Sequence, residues 1–111
     1  VTVDMAALGT GQTGDEFNVS LCVKDRGGPY HFDLNEKLRR IARTYEIPLR
    51  VDIYVNYSSD GTAYWHAGGE AKVALIGPGV ASSHGYERTH RDALQHSAHL
   101  IARYLLDEVP A

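Results

Sequence analysis

Lys72-Val73-Ala74-Leu75-Ile76-Gly77-Pro78-Gly79-Val80-Ala81-Ser82-Ser83-His84-Gly85-Tyr86-Glu87-Arg88-Thr89-His90 decides the reading of this chain. Its first five residues form a short apolar run with the length and β-branched content of a buried strand, and the Gly77-Pro78-Gly79 punctuation ends that run. From Arg88 onward the pattern turns helical, with Thr89 as a cap and Asp92 three residues on in the manner of a capping box. Leu94, Ala98, Ile101 and Leu105 mark the buried stripe of a helix that runs to about Leu106. His84 therefore falls between the carboxyl end of a strand and the start of a helix, which is where open α/β sheets build their ligand crevices.

Further toward the N-terminus the same alternation repeats. Leu49, Val51, Ile53, Val55 and Tyr57 share one face of a strand that follows Pro48, and Ser58-Ser59-Asp60-Gly61 turns the chain into a short helical segment from Thr62 to Ala67. Before it, Asp33 caps a helix reaching about Tyr45, with Leu34, Leu38, Ile41 and Tyr45 at helical spacing. Phe17 to Val23 is a strand with one buried face, and Lys24 to Pro29 is a connecting loop. Residues 1–7 form a first strand closed by Leu8-Gly9-Thr10-Gly11. Strands alternating with helices specify an α/β fold, a mixed, largely parallel sheet flanked by helices, with one antiparallel member after the first strand.

The 111 residues, 43% of them hydrophobic, suffice for one domain with a real core. A net charge of −3 without a basic stripe speaks against nucleic acid as a partner. No apolar run reaches the roughly 20 residues of a membrane span. The single Cys22, inside a strand pattern, fits a reducing, cytoplasmic compartment. Starting at Val1, already within a strand, the chain reads as a piece of something longer.

Several residues could carry chemistry. Asp4 closes the apolar opening Val1-Thr2-Val3 and must be paired, capping or coordinated, because a carboxylate buried alone costs several kcal/mol. His84, beside the small Ser82 and Ser83, is a metal ligand or general base, or a loop histidine bonded to backbone. Asp60 caps the short helix or contacts substrate, and Glu87 either holds an amine or answers a helix dipole. His90 contacts substrate or supports a ligand, whereas His66 packs and His96 and His99 are solvated. Gly9-Thr10-Gly11-Gln12-Thr13-Gly14 imitates a dinucleotide fingerprint, but a strand follows where that fingerprint requires a helix.

Taken together, Val1-Thr2-Val3-Asp4-Met5, Ser59-Asp60 and Ser82-Ser83-His84-Gly85-Tyr86-Glu87-Arg88-Thr89-His90 resemble the C-terminal part of the catalytic domain of the tetrahedral, or glutamyl (deblocking), aminopeptidases, the cellulase-M-like metallopeptidases. The resemblance covers nearly the whole chain, so that residues 1–111 correspond to part of a zinc-peptidase-like α/β sandwich. It implies a homo-oligomeric parent enzyme that removes N-terminal residues from peptides with two divalent ions, zinc or cobalt. Asp4 would be a terminal ligand to one ion and His84 to the other, while Ser59, Asp60, Glu87 and His90 would contact substrate or support the ligands. The family's second aspartate after the position of Asp4 is replaced here by Leu8-Gly9-Thr10-Gly11. Its first histidine ligand, bridging aspartate, general-base glutamate and neighbouring glutamate ligand all precede the region aligned with Val1, so this segment alone is expected to be inactive. A related metal-dependent deacylase or amidohydrolase and a non-catalytic α/β binding or assembly module are the alternatives.

Overall fold

The computed structural model describes residues 1–110 and forms a flat slab of 36 × 33 × 19 Å. Its elements in chain order are β1 (Thr2–Val3), β2 (Ala6–Ala7), β3 (Val19–Asp25), β4 (Gly28–Pro29), α1 (Phe32–Thr44), β5 (Leu49–Ile53), α2 (Asp60–His66), β6 (Leu75–Val80) and α3 (Arg91–Leu106). β6 lies at the centre of the sheet. It pairs in parallel with β1 and β2 and antiparallel with β3. β5 adds to β3 in parallel, and β4 folds back on the end of β3 around the two-residue turn Arg26-Gly27. The sheet is thus mixed and flanked by helices, with the reversed pairing at its centre.

α1 and α3 pack on one face. Val19, Leu21, Ala74 and Ile76 from the sheet meet Leu34, Leu38, Ile41 and Leu100 from the helices, all buried. Each of the valine, leucine and isoleucine side chains among them contributes about 1.5–3 kcal/mol by leaving water. The opposite face carries a smaller cluster of Ala6, Cys22, Tyr30, Tyr54, Val73 and Leu75.

Five local expectations are corrected. β6 runs straight through Gly77-Pro78-Gly79 rather than ending there. The glycines are required by close approach, since a Cβ at Gly77 would lie 1.5 Å from the Asp4 carbonyl oxygen and one at Gly79 would lie 1.9 Å from that of Asp15. In β5 the Leu49-to-Tyr57 alternation is inverted: Asp52 and Tyr54 are buried, whereas Ile53 and Val55 are 50% and 74% exposed. β5 is an edge strand that the helical layer covers only at Leu49, and its inward Asp52 is bonded by the loop before β3. The buried stripe of α3 is Ala93, Ser97 and Leu100, one position before the expected one, leaving Leu94 and Leu105 exposed. Ser97 tolerates burial because its hydroxyl donates to the Ala93 carbonyl at 2.8 Å.

The helix caps also differ. His31, Ser59 and His90 cap α1, α2 and α3, in place of Asp33, Asp60 and Thr89, and the two histidines accept backbone N–H groups through Nδ1. Finally, β3 extends two residues beyond Val23, to Asp25, which makes Asp25 a strand-end acid rather than a loop residue.

Candidate functional site

Asp4 is aimed by an interruption in the sheet. β1 follows β6 through Thr2 N–H to Ala74 C=O at 2.7 Å and Asp4 N–H to Ile76 C=O at 3.1 Å. In a parallel ladder the next donor from β6 toward the Asp4 carbonyl would be the nitrogen of Pro78, which has no hydrogen. The Asp4 carbonyl instead lies over Gly77, in the space a side chain would fill, and pairing resumes only at Ala6 opposite Gly79. The break leaves the Asp4 side chain exposed, with Oδ1 accepting from Met5 N–H at 2.8 Å.

His84 sits in a loop pinned at both ends. Ala81 and Arg88 exchange two backbone hydrogen bonds of 2.8 and 3.0 Å, and Thr89 Oγ1 donates to the Gly79 carbonyl at 2.7 Å. Arg88 grips Glu16 in bidentate fashion at 2.8 and 3.1 Å, tying the loop to the segment before β3. Within the loop Ser82 and His84 take left-handed backbone conformations, φ 58° and 66°, and Gly85 N–H closes a turn onto the Ser82 carbonyl. Non-glycine residues hold that conformation at a cost of about 1 kcal/mol or more, which the surrounding bonds offset. The imidazole lies nearly parallel to Tyr57, 9° between planes and 6.1 Å between centroids, and its Nδ1 is 3.1 Å from Ser83 Oγ. The Nδ1 contact leaves Nε2 as the nitrogen available to a ligand.

Asp4 and His84 thus come from opposite ends of the chain to line one cleft, floored by Met5 and Leu75 and walled by Tyr57. Asp25 lines it too, although the sequence reading assigned it to a connecting loop. Its carboxylate is 3% exposed; Oδ1 accepts from Gly27 N–H at 2.8 Å and Oδ2 from the Tyr30 hydroxyl at 2.5 Å. Tyr30 is in turn 2.7 Å from Ser59 Oγ. Burial, reinforced by the bond to Asp25, pushes the Tyr30 hydroxyl well above the ordinary phenol range, so it stays protonated as a donor. Asp25 closes an apolar strand as Asp4 does, and that shared placement is the signal that could have marked it.

The other sequence candidates disperse. Ser59 is buried behind Asp25 as the cap of α2, accepting Gly61 N–H, and Asp60 is the exposed first residue of that helix. Glu87 borders a neighbouring depression that also touches Asp4 and Arg88. His90 lies outside both, its ring tilted at 48° to that of Phe17 with centroids 4.9 Å apart, while it caps α3. His66 bonds the Gly27 carbonyl at 2.8 Å.

A carboxylate oxygen and an imidazole nitrogen are a donor pair suited to zinc or cobalt. Among the described residues no three His, Cys, Asp or Glu side chains converge as a metal-binding group.

The M42 glutamyl aminopeptidase family model matches residues 1–100. The chain is 45% identical over 105 residues to the putative aminopeptidase YhfE of Bacillus subtilis (strain 168), covering 95% of this chain and 30% of the relative. Among solved structures, the TET1 peptidase of Pyrococcus horikoshii superposes with a TM-score of 0.82 at 22% identity, over 96% of this chain and 32% of that one. The TET aminopeptidase of the marine sediment archaeon Thaumarchaeota archaeon SCGC AB-539-E09 gives 0.77 at 14% identity, over 92% and 31%. The chain therefore spans about a third of the length of these relatives.

Proposed function

Because the chain belongs to the M42 glutamyl aminopeptidase family, we propose that it forms the C-terminal portion of the catalytic domain of a metal-dependent aminopeptidase that removes N-terminal residues from peptides. The observation that carries this reading is the convergence of Asp4 and His84 on one cleft, each placed by a particular backbone feature: the interrupted ladder at Pro78 and the left-handed turn at His84.

In this reading Asp4 and His84 are terminal ligands to two divalent ions, zinc or cobalt. Such ions, when bound, polarise a scissile carbonyl and lower the pKa of water. Tyr57 and Ser83 hold the His84 ring, with Nδ1 against Ser83 Oγ, so that Nε2 is the nitrogen left for a ligand, as second partners of ligating histidines do. The Glu16–Arg88 pair holds the loop that presents it. The remaining ligands and the proton-transferring carboxylate belong to the part of the relatives this chain does not span. Apolar side chains left uncovered on α3 and on and just after β5, among them Ile53, Val55, Leu94 and Leu105, support a chain that continues its packing elsewhere. Ser59 supports Asp25 through Tyr30, Glu87 is left for substrate contact from the neighbouring depression, and His90 acts only on the α3 end of the loop; Asp60, on α2, borders neither.

A homo-oligomeric parent is part of the proposal, supported by the P. horikoshii TET1 peptidase, which is described as assembling into a tetrahedron or a large octahedral shell. No helix among the described residues is long and apolar enough to cross a membrane. The single cysteine, buried and unpaired, supports a cytoplasmic setting.

The test is hydrolysis by the full-length protein, with added cobalt or zinc, of matched aminoacyl anilides carrying free or N-acetylated amino groups. Cleavage confined to the free-amine series, lost at least 100-fold in Asp4→Ala and His84→Ala, is the expected outcome. Preference for the acetylated series would replace the aminopeptidase with a deacylase. Silence toward both in a folded, metal-loaded protein would leave a binding module.

A further inference from the structure

We propose that Asp25 is the counter-charge for the free α-ammonium of the substrate and so makes the cleft selective for unblocked N-termini. The inference rests on the aminopeptidase reading and names the residue behind its substrate class.

An exopeptidase of this kind must recognise a cation at a fixed distance from the bond it cuts. A cation is held in a protein by a carboxylate that is desolvated and oriented, and that has no resident partner to displace. The acids near the cleft can be compared on those terms. Asp4 is exposed and is assigned to the metal. Glu87 is exposed and faces the adjacent depression. Asp25 lines the cleft, is 3% exposed, and forms no ion pair with any Lys, Arg or His among the described residues. A buried carboxylate without a cation is costly unless hydrogen bonds and a ligand charge compensate it. Gly27 N–H and the Tyr30 hydroxyl supply two bonds, one to each oxygen, and fix the plane of the group while leaving acceptor capacity on both. Tyr30 is itself held by Ser59, the cap of α2, so the carboxylate is backed by a rigid element rather than by a mobile side chain. Tyr30 and Ser59 are positioning residues in this scheme. Only Asp25 touches the amine.

The test uses binding as well as turnover. Calorimetry on the metal-loaded full-length protein compares an amino-acid amide, leucinamide, with its analogue lacking the amino group, 4-methylpentanamide. Wild type should prefer leucinamide about 10–100-fold, the range of a hydrogen bond to a charged group. Asp25→Asn should erase that preference while metal content, read by elemental analysis, is unchanged. Tyr30→Phe should reduce it part of the way and serves if Asp25→Asn does not fold. In hydrolysis the loss should fall on KM more than on kcat. A preference that persists in Asp25→Asn, an absence of preference in wild type, or loss of metal from Asp25→Asn overturns the proposal. Failure of the aminopeptidase reading would look different: leucinamide selectivity intact and dependent on Asp25, with no hydrolysis of any anilide.

Discussion

Replacing Gly77 with alanine is the sharpest probe of how Asp4 is placed. The new Cβ would sit 1.5 Å from the Asp4 carbonyl oxygen and 2.7 Å from its carbon. Carbon and oxygen atoms rest at about 3.5 Å, so the carbonyl must retreat by roughly 2 Å or β6 must shift by as much. Either movement breaks the Asp4 N–H to Ile76 C=O bond of 3.1 Å, worth about 0.5–1.5 kcal/mol net, and adds an overpacking cost of about 1–3 kcal/mol. The expected loss is about 2–4 kcal/mol, a large part of the roughly 5–15 kcal/mol that holds a domain together. Urea denaturation followed by circular dichroism measures it. Gly85→Ala is the control: its backbone lies outside the left-handed region and its Cβ meets nothing nearer than the Ser82 carbonyl oxygen at 3.2 Å, so it should cost less than about 1 kcal/mol. A Gly77→Ala protein within about 0.5 kcal/mol of wild type would refute the close approach and, with it, the account of why the strand breaks at Asp4.

Three further outcomes follow from side chains outside the cleft. Asp52→Ala removes the acceptor of Thr13 N–H at 2.6 Å, Thr13 Oγ1 at 3.0 Å and Gly14 N–H at 2.9 Å; we expect about 2–4 kcal/mol of destabilisation and faster limited proteolysis between Gly9 and Gly14, and unchanged cleavage would show that the loop is held otherwise. Burial pushes the Cys22 thiol up to about 12, so at pH 8 only on the order of one molecule in ten thousand carries the thiolate; a thiol reagent should label the native chain no faster than it unfolds, and rapid stoichiometric labelling would contradict the packing of β3. Arg40, hydrogen-bonded to Asp107 at 2.5 Å, holds that carboxyl below its ordinary value of 3.8. A lowered folded-state pKa contributes stability above the unfolded value and loses it as pH falls through the folded one, so the tether between α1 and the end of α3 should hold at pH 3.8 and release only as the pH falls further; an NMR titration of Asp107 at or above 3.8 would disprove it.

What the sequence disclosed and what it concealed divide along physical lines. The period-two pattern from Val19 to Val23 and the helical spacing of Leu34, Leu38 and Ile41 were legible because burial on one face writes itself into apolar spacing. The course of β6 through Gly77-Pro78-Gly79 was not, because those residues answer to the carbonyls of Asp4 and Asp15, contacts distant in the chain. The inverted face of β5 was hidden for a similar reason: alternation fixes which residues share a face but not which face is covered. Histidine caps at His31 and His90 escaped a rule that favours hydroxyls and carboxylates. The positions of Asp4 and His84 at sheet edges could be read locally, but their sharing a cleft could not, and Asp25 went unseen because the strand was ended two residues early.

The place of β6 has a consequence for how the chain is made. β1, β2 and β3 all lean on a strand that is synthesised after every other strand in the sheet. β3, β4, α1 and β5 form a contiguous stretch that can pair and pack as soon as it emerges, whereas β1 and β2 have no strand partner among the described residues until Leu75–Val80 arrives. Residues 2–7 are therefore synthesised well before the strand they pair with. A nascent chain stalled before Leu75 would hold β3 without its β6 partner and Asp4 without the ladder that places it, which makes the passage of β6 the step that completes this sheet.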